Sequence, residues 1–293
     1  MATAAQWIQG ARPRTLPAAI APVVIGSAAA YQLHAFNLVN AILAALIALL
    51  LQVGVNYSND YSDGIRGTDE NRVGPFRLVG SGAAKPRAVL IAALSCYGLS
   101  MVTGLVLVLL TQTWWMILVG LGAVIAAWGY TGGKNPYGYQ GLGELFVFVF
   151  FGLVATLGTT YTQAGHISLS AIVGAVGTGL IACAVLMANN VRDIPTDKAS
   201  KKYTLAVRLG DRLARRTYVL MLAVAILSSL ILAPENLWIL LVLLLIPAAL
   251  LPCWLMLSGR TGKALIPVLQ QTGMLNLGYA ALFAVALILQ HGV

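Results

Sequence analysis

The sequence predicts an all-α polytopic membrane protein, and three observations carry that prediction. The chain of 293 residues is 59% hydrophobic and 9% charged, with a mean hydropathy of +0.84, whereas a soluble domain carries about 25% charged residues. About nine runs are long and apolar enough to cross a bilayer as helices. All 18 lysines and arginines fall into loops on one side of those runs.

The spans are predicted at 16–35, 37–57, 88–110, 113–131, 143–163, 169–191, 216–233, 236–257 and 271–290. The glycines and prolines inside them are compatible with membrane helices, which carry more of both than soluble helices do. Ahead of the first span, residues 3–11 hold Trp7 and Ile8 and suit a short interfacial helix. The first ten residues show no basic region, apolar core and cleavage site in succession, so no cleaved signal peptide is expected. No polar stretch is long enough for a soluble second domain.

The loops set the orientation. Arg12 and Arg14 precede the first span. Arg66, Arg72, Arg77, Lys85 and Arg87 follow the second, and Lys134 the fourth. Eight basic residues between Arg192 and Arg216 follow the sixth, and Arg260 and Lys263 the eighth. The opposite loops, around His34, Gln112, His166 and Glu235, hold no lysine or arginine. The positive-inside rule then places the N-terminus and long loops in the cytoplasm and the C-terminus outside. The net charge of +9 is accounted for by this bias and does not call for a nucleic-acid partner. Cys96, Cys183 and Cys253 are isolated in apolar stretches and form no metal motif or disulfide framework. The three histidines, His34, His166 and His291, lie in short linkers or near the C-terminus, which argues against a haem-ligating bundle.

Two polar clusters stand out. Residues 56–69 read N-Y-S-N-D-Y-S-D-G-I-R-G-T-D after the second span, and residues 189–197 read N-N-V-R-D-I-P-T-D after the sixth. Carboxylates at a membrane edge are costly, and function is the default reading for them. One such cluster alone is ordinarily a solvated loop with helix caps. Two of them at equivalent helix ends, each with Asn ahead of Asp, point to one divalent-metal site built from two halves of the chain. Spans four and eight both end in Gly- and Lys-bearing loops. The chain thus reads as a single domain with a parallel pseudo-repeat, 12–140 and 141–270, plus a last helix at 271–290.

If the second span continues as a helix, Asn56, Asn59, Asp60 and Asp63 are spaced i, i+3, i+4, i+7 on one face. Gly64 and Gly67 then loosen the chain, and Asp69 can fold back toward the same point. In the second cluster Asn189 or Asn190 shares a face with Asp193 and Asp197, although Pro195 should bend or end the helix. Oxygen donors without His or Cys suit Mg²⁺, which bridges carboxylates to substrate phosphates. Arg72, Arg77, Lys134, Lys201 and Lys202 can then hold phosphate oxygens. Lys134 is the one charge of its loop before Glu144 and lies one turn after Tyr130. Thr159, Thr160, Tyr161, Gln163 and Asn276 are expected to make interhelical hydrogen bonds. Gln52 lies two turns before Asn59 on nearly the same face.

Several strings carry a family resemblance: R-P-R-T-L-P-A-A-I-A-P-V-V at 12–24, G-V-N-Y-S-N-D-Y-S-D-G-I-R-G-T-D at 54–69, Y-T-G-G-K-N-P-Y-G-Y at 130–139, and N-N-V-R-D-I-P-T-D at 189–197 running on to K-Y-T-L-A-V-R-L-G at 202–210. Over nearly its whole length the chain resembles the intramembrane aromatic prenyltransferases of the UbiA superfamily, and within it the branch acting on 1,4-dihydroxy-2-naphthoate in menaquinone synthesis. The resemblance implies nine helices around a central cavity in a bacterial inner membrane, with the active site on the cytoplasmic side. It implies Mg²⁺, and a long-chain prenyl diphosphate and dihydroxynaphthoate as substrates, with no obligatory protein partner.

On that pattern Asn59, Asp63, Asp193 and Asp197 face the metal with Asp60 close by, and Tyr130 and Lys134 lie near the diphosphate. Asp60, Asp63, Asp69, Asp193, Asp197 and Lys134 form the expected catalytic set. Gln52, Asn56, Asn189 and Asn190 are supporting amides. Two positions depart from the family pattern. Gly67 stands where a third Asp is usual, with Asp69 two residues on, and Gln52 stands where some relatives have Arg. The implied reaction is ionisation of the allylic C–O bond and attack on the electron-rich ring, with the ring carboxylate leaving as CO2. Asp60 and Asp69 are the nearest groups for deprotonating the acceptor. The rival readings are a prenyltransferase for another aromatic acceptor, a phosphatidyl-alcohol transferase and a cation-coupled transporter. The phosphatidyl-alcohol transferase motif is incomplete here. A transporter would place its acids near the bilayer midplane, whereas these lie at one edge.

Overall fold

The computed structural model describes residues 2–67 and 76–291. Asp69 and Arg72 lie outside the described residues. Helix α1 (Ala4–Ala11) opens with a capping box in which Thr3 accepts from the Gln6 N–H and the Gln6 side chain accepts from the Thr3 N–H, satisfying two orphan donors. A 3₁₀ turn over Pro13–Thr15 leads into α2 (Pro17–Gln32). The pair Ala4–Thr15 and Pro17–Gln32 is bent by 50°. It matches the expected interfacial helix followed by a first span.

The remaining helices are α3 (Leu38–Ile65), α4 (Pro86–Thr111), α5 (Met116–Gly129), α6 (Gly143–Ala164), α7 (Leu169–Ala199), α8 (Asp211–Leu232), α9 (Leu237–Leu257) and α10 (Gly262–Gln290). Local chemistry sets their starts. Asn37 caps α3 and Ser168 caps α7, each accepting a backbone N–H, while Pro86 occupies the first position of α4, where its missing donor costs nothing. No strand occurs among the described residues. Among the described residues, seven of the helices are long and apolar enough to cross a membrane, or eight if the bent pair is one span. The fourth expected span forms α5, with only 14 residues.

The ends of two helices carry the site. The expected second span ends near residue 57, but α3 runs on to Ile65 and keeps the Asn/Asp cluster helical. Helix α7 likewise continues through Pro195 to Ala199, so of the two expected outcomes, a bend or an end at Pro195, the helix does not end there. Proline removes a single backbone donor, and the turn beyond it still closes, as Ser200 N–H donates to Thr196 O.

Packing follows membrane rules, in which small residues let backbones approach. A Cβ on Gly152 of α6 would lie 2.7 Å from Gly179 Cα of α7. One on Gly177 would lie 2.0 Å from the Tyr279 hydroxyl of α10. That hydroxyl bonds Ser229 Oγ at 2.9 Å. Around Gly152 the helix loosens into π geometry over Phe148–Val154. Of the polar groups inside the spans, Thr160 donates to Gly26 O at 3.0 Å and Asn276 Oδ1 accepts from Thr178 at 2.9 Å, pairing between helices as expected, whereas Thr159 donates to Ala155 O within its own helix. α3 lies along α4, while α2, α8 and α10 pack on α7. Helices α2 to α7 and α10 line a cavity of about 610 Å³.

Candidate active site

The last four turns of α3 aim Gln52, Asn56, Asn59 and Asp63 at the cavity. The i, i+4, i+7, i+11 spacing keeps them on one stripe. Asn59 Oδ1 accepts from the Thr131 hydroxyl at 2.7 Å, which ties the stripe to the turn after α5. Asp63 Oδ1 accepts from the Tyr139 hydroxyl at 2.7 Å, and Asp63 Oδ2 from Arg77 Nη2 at 3.5 Å. Asp63 and Arg77 are both buried, and a buried charge persists only when paired and hydrogen-bonded.

Asp60 differs from its neighbours. It is buried, and its two oxygens accept from the backbone N–H groups of Leu78 and Val79 at 2.6 and 3.0 Å. It does not line the cavity. Asp60 thus turns to the loop instead of the cavity and anchors the chain segment that carries Arg77. A residue at i+1 from Asn59 lies about 100° around the helix, and the incoming loop takes it.

The second cluster is held from within α7. Arg192 grips Asp193 with Nε to Oδ1 at 2.7 Å and Nη2 to Oδ2 at 2.6 Å, and Nη2 also reaches Asn189 Oδ1 at 2.8 Å. Asn190 turns away from the cavity and donates to Glu144 Oε1 at 3.0 Å. Asp197 Oδ1 lies 3.9 Å from Lys202 Nζ. Of this cluster and its basic tail, Asn189 and Lys202 line the cavity.

Tyr139 joins the two halves. Its hydroxyl serves Asp63, its ring carries the Lys202 ammonium 5.2 Å from the centroid, and its carbonyl accepts from Tyr203 N–H at 3.0 Å. Arg66 also lies over that ring, 5.5 Å from the centroid, while its guanidinium donates to the carbonyls of Thr131 and Gly133. Tyr137 donates to Ala126 O at 2.8 Å and stacks on Phe146 with centroids 3.9 Å apart. Burial pushes the Tyr137 phenol above its ordinary pKa, so it remains a neutral donor.

The cavity wall thus holds Asn59, Asp63, Arg77, Tyr130 and Lys202 from the expected set, with the amides Gln52, Asn56 and Asn189. Lys134 and Lys201 are exposed and stand off that wall. Asp193 and Asp197 are buried behind it. Among the described residues no three His, Cys, Asp or Glu side chains converge as around one ion. The metal-competent donors on the wall are the Asn59 amide and the Asp63 carboxylate, oxygen groups of the kind a hard cation takes. Beyond this polar end the wall is apolar, with Leu51, Val55, Leu105, Phe150, Val154 and Leu186. Tyr139, Thr131 and Arg192 are absent from the expected set. Tyr139 sits in a quoted string, and its tyrosine-rich, glycine-rich loop was the available signal.

The sequence and the fold have counterparts in known proteins. The model of the UbiA prenyltransferase family matches residues 19–275. A 1,4-dihydroxy-2-naphthoate octaprenyltransferase of Mycobacterium tuberculosis is 54% identical over 287 residues, 98% of each chain. The Escherichia coli protein of that name is 40% identical over 223 residues, covering 74% of this chain and 72% of its own. Among solved structures, the apo UbiA homolog from Aeropyrum pernix superposes with a TM-score of 0.70 at 17% identity, covering 93% of this chain and 98% of its own. An Archaeoglobus fulgidus UbiA homolog bound to GPP and Mg²⁺ gives 0.65 at 15% identity, covering 98% and 100%. With the family model spanning most of its length and a relative above half identity end to end, this multi-pass membrane chain belongs to the UbiA prenyltransferase family.

Proposed function

We propose that the protein transfers a long-chain prenyl group from a prenyl diphosphate to 1,4-dihydroxy-2-naphthoate. Diphosphate and CO2 are released, and the product is demethylmenaquinol for menaquinone synthesis. The carrying observation is one cavity that sets Asp63 and Arg77 at a polar end above an apolar chamber of about 610 Å³. The names of the relatives support the choice of acceptor.

Asn59 and Asp63, faced by Asn189 with Asp193 and Asp197 behind it, are the groups that would hold Mg²⁺. When bound, the metal neutralises charge on the departing diphosphate. Arg77 and Lys202 bind phosphate oxygens, and the Tyr139 phenol fixes the Asp63 carboxylate. The apolar wall holds the isoprenoid tail and keeps water from the allylic cation. The acceptor ring attacks that cation at its free ring carbon, which then gives up its proton, and the carboxylate departs as CO2 with a proton taking its place on the ring. The polar end faces the cytoplasm of a bacterial inner membrane, a reading that rests on the basic loops. The pseudo-repeat of 12–140 and 141–270 is part of this proposal, supported by the paired clusters ending α3 and α7.

The test is purified protein with Mg²⁺, a prenyl diphosphate series and a panel of aromatic acceptors, read by mass spectrometry. Prenylated, decarboxylated naphthoquinol is the expected product. Transfer to a benzoate or homogentisate with none to the naphthoate rejects the acceptor.

A further inference from the structure

A second cationic group borders the cavity away from Asp63. Among the described residues, the charged side chains on the wall are Arg12, Arg14, Asp63, Arg77 and Lys202. Arg77 and Lys202 lie beside Asp63 and Asp197. Arg12 and Arg14 come from the turn between α1 and α2, and the proposed chemistry gives them no task.

That turn is built with care. Arg12 sits at φ 55°, ψ 70°, a left-handed conformation that non-glycine residues rarely adopt. Its N–H donates to Gln9 O at 3.1 Å, and its carbonyl accepts from Thr15 N–H and from the Thr15 hydroxyl, each at 2.9 Å. The same hydroxyl oxygen accepts from Gln52 Nε2 at 3.1 Å and from Asn56 Nδ2 at 3.0 Å. Asn56 Nδ2 also reaches Ala11 O at 2.9 Å. Gln52 and Asn56 are therefore spent on holding the arginine turn. Backbone strain persists where surroundings over-determine it, and such places cluster at ligand clamps. With the Gln270 amide oxygen facing it, Arg14 donates from Nη1 at 2.7 Å and Nε at 3.2 Å, which ties the turn to the last helix.

The same stripe of α3 thus serves two anion-binding ends. Asn59 and Asp63 mark the first. Asn56, which holds the turn, lies about 5 Å from Asn59 and about 10 Å from Asp63 along the helix axis. A guanidinium fork matches a carboxylate in two parallel hydrogen bonds. A bicyclic aromatic acid gripped there would place its ring between the arginine and the diphosphate end.

We infer that Arg12, assisted by Arg14, binds the carboxylate of the aromatic acceptor, and that Thr15, Gln52 and Asn56 are positioning residues for it. This rests on the reading of the acceptor as an aromatic carboxylate. The competing source of the anion is the diphosphate itself.

The experiment is calorimetric binding to the purified full chain in nanodiscs. The probes are 1-hydroxy-2-naphthoate, 1-naphthol and a non-hydrolysable prenyl thiolodiphosphate. The wild type prefers the naphthoate to the naphthol. Arg12→Gln weakens the naphthoate about 10- to 100-fold, the loss of a charged hydrogen-bonded pair, and leaves the other two probes unchanged. Thr15→Val moves the naphthoate in the same direction and Thr15→Ser restores it, a rescue that simple loss of folding does not give. If Arg12→Gln does not fold, the Thr15 pair decides. An affinity loss confined to the thiolodiphosphate, or equal naphthoate binding in the folded variants, overturns the inference. A wild type indifferent to the carboxylate does so as well. Preserved carboxylate preference with no prenyl transfer leaves the inference standing and rejects the proposed reaction instead.

Discussion

The Tyr139 hydroxyl donates to Oδ1 of Asp63 at 2.7 Å across 76 residues of sequence. Through this bond and the Lys202 ammonium over its ring, one loop tyrosine links the end of α3 to the segment after α7. Both halves of the chain therefore share one electrostatic unit.

Tyr139→Phe keeps the ring under Lys202 and removes the donor to the carboxylate. A hydrogen bond to a charged group contributes about 1.5–3 kcal/mol, so turnover per folded molecule falls about tenfold or more while thermal stability changes little. Steady-state prenyl transfer beside a melting curve reads both. Unchanged turnover takes the phenol out of the site.

Asp63→Ala and Asp193→Ala each nearly abolish prenyl transfer. Asp63 faces the cavity, and Asp193 fixes Arg192 against Asn189 on its wall. Chelation by EDTA does the same to the wild type, and added Mg²⁺ restores it. Full turnover in EDTA would exclude a metal-assisted leaving group.

Asp60→Asn acts on stability. An amide has one oxygen for the two N–H groups of Leu78 and Val79, and an unsatisfied buried donor costs about 1–3 kcal/mol. The melting temperature drops and Arg77 loses its fixed mount. Were Asp60 a metal ligand instead, the variant would melt normally and need more Mg²⁺.

Lys134→Met retains specific activity within about threefold, because an exposed ammonium off the cavity wall contributes little screened charge. Loss of about 10²-fold in correctly inserted protein, the scale of a transition-state electrostatic contact, would instead put Lys134 on the diphosphate.

The apolar runs gave the helices and their order because each must be long enough to bridge lipid. Their ends were harder to read. Polar clusters look like loops, yet α3 and α7 carry theirs as helix to Ile65 and Ala199. Asn59 and Asp63 were legible from spacing alone. Asp60 was not, because its partners are backbone groups of a loop 18 and 19 residues away, and no sequence spacing reports them. Arg12 was counted as an orientation signal. A topogenic arginine and a cavity arginine are the same letter, and only the Thr15, Gln52 and Asn56 bonds separate them.

Helix α5 has 14 residues, about 21 Å at 1.5 Å per residue, beside a hydrocarbon layer about 30 Å thick. Trp114 and Trp115 stand half-exposed before its first turn, as interfacial anchors do. With that end at one headgroup plane, a span this short would set Tyr130 and Thr131 several ångströms short of the other. On the proposed reaction the leaving group would then be handled below the headgroup plane, where a lipid-borne substrate can react without lifting its tail from the leaflet.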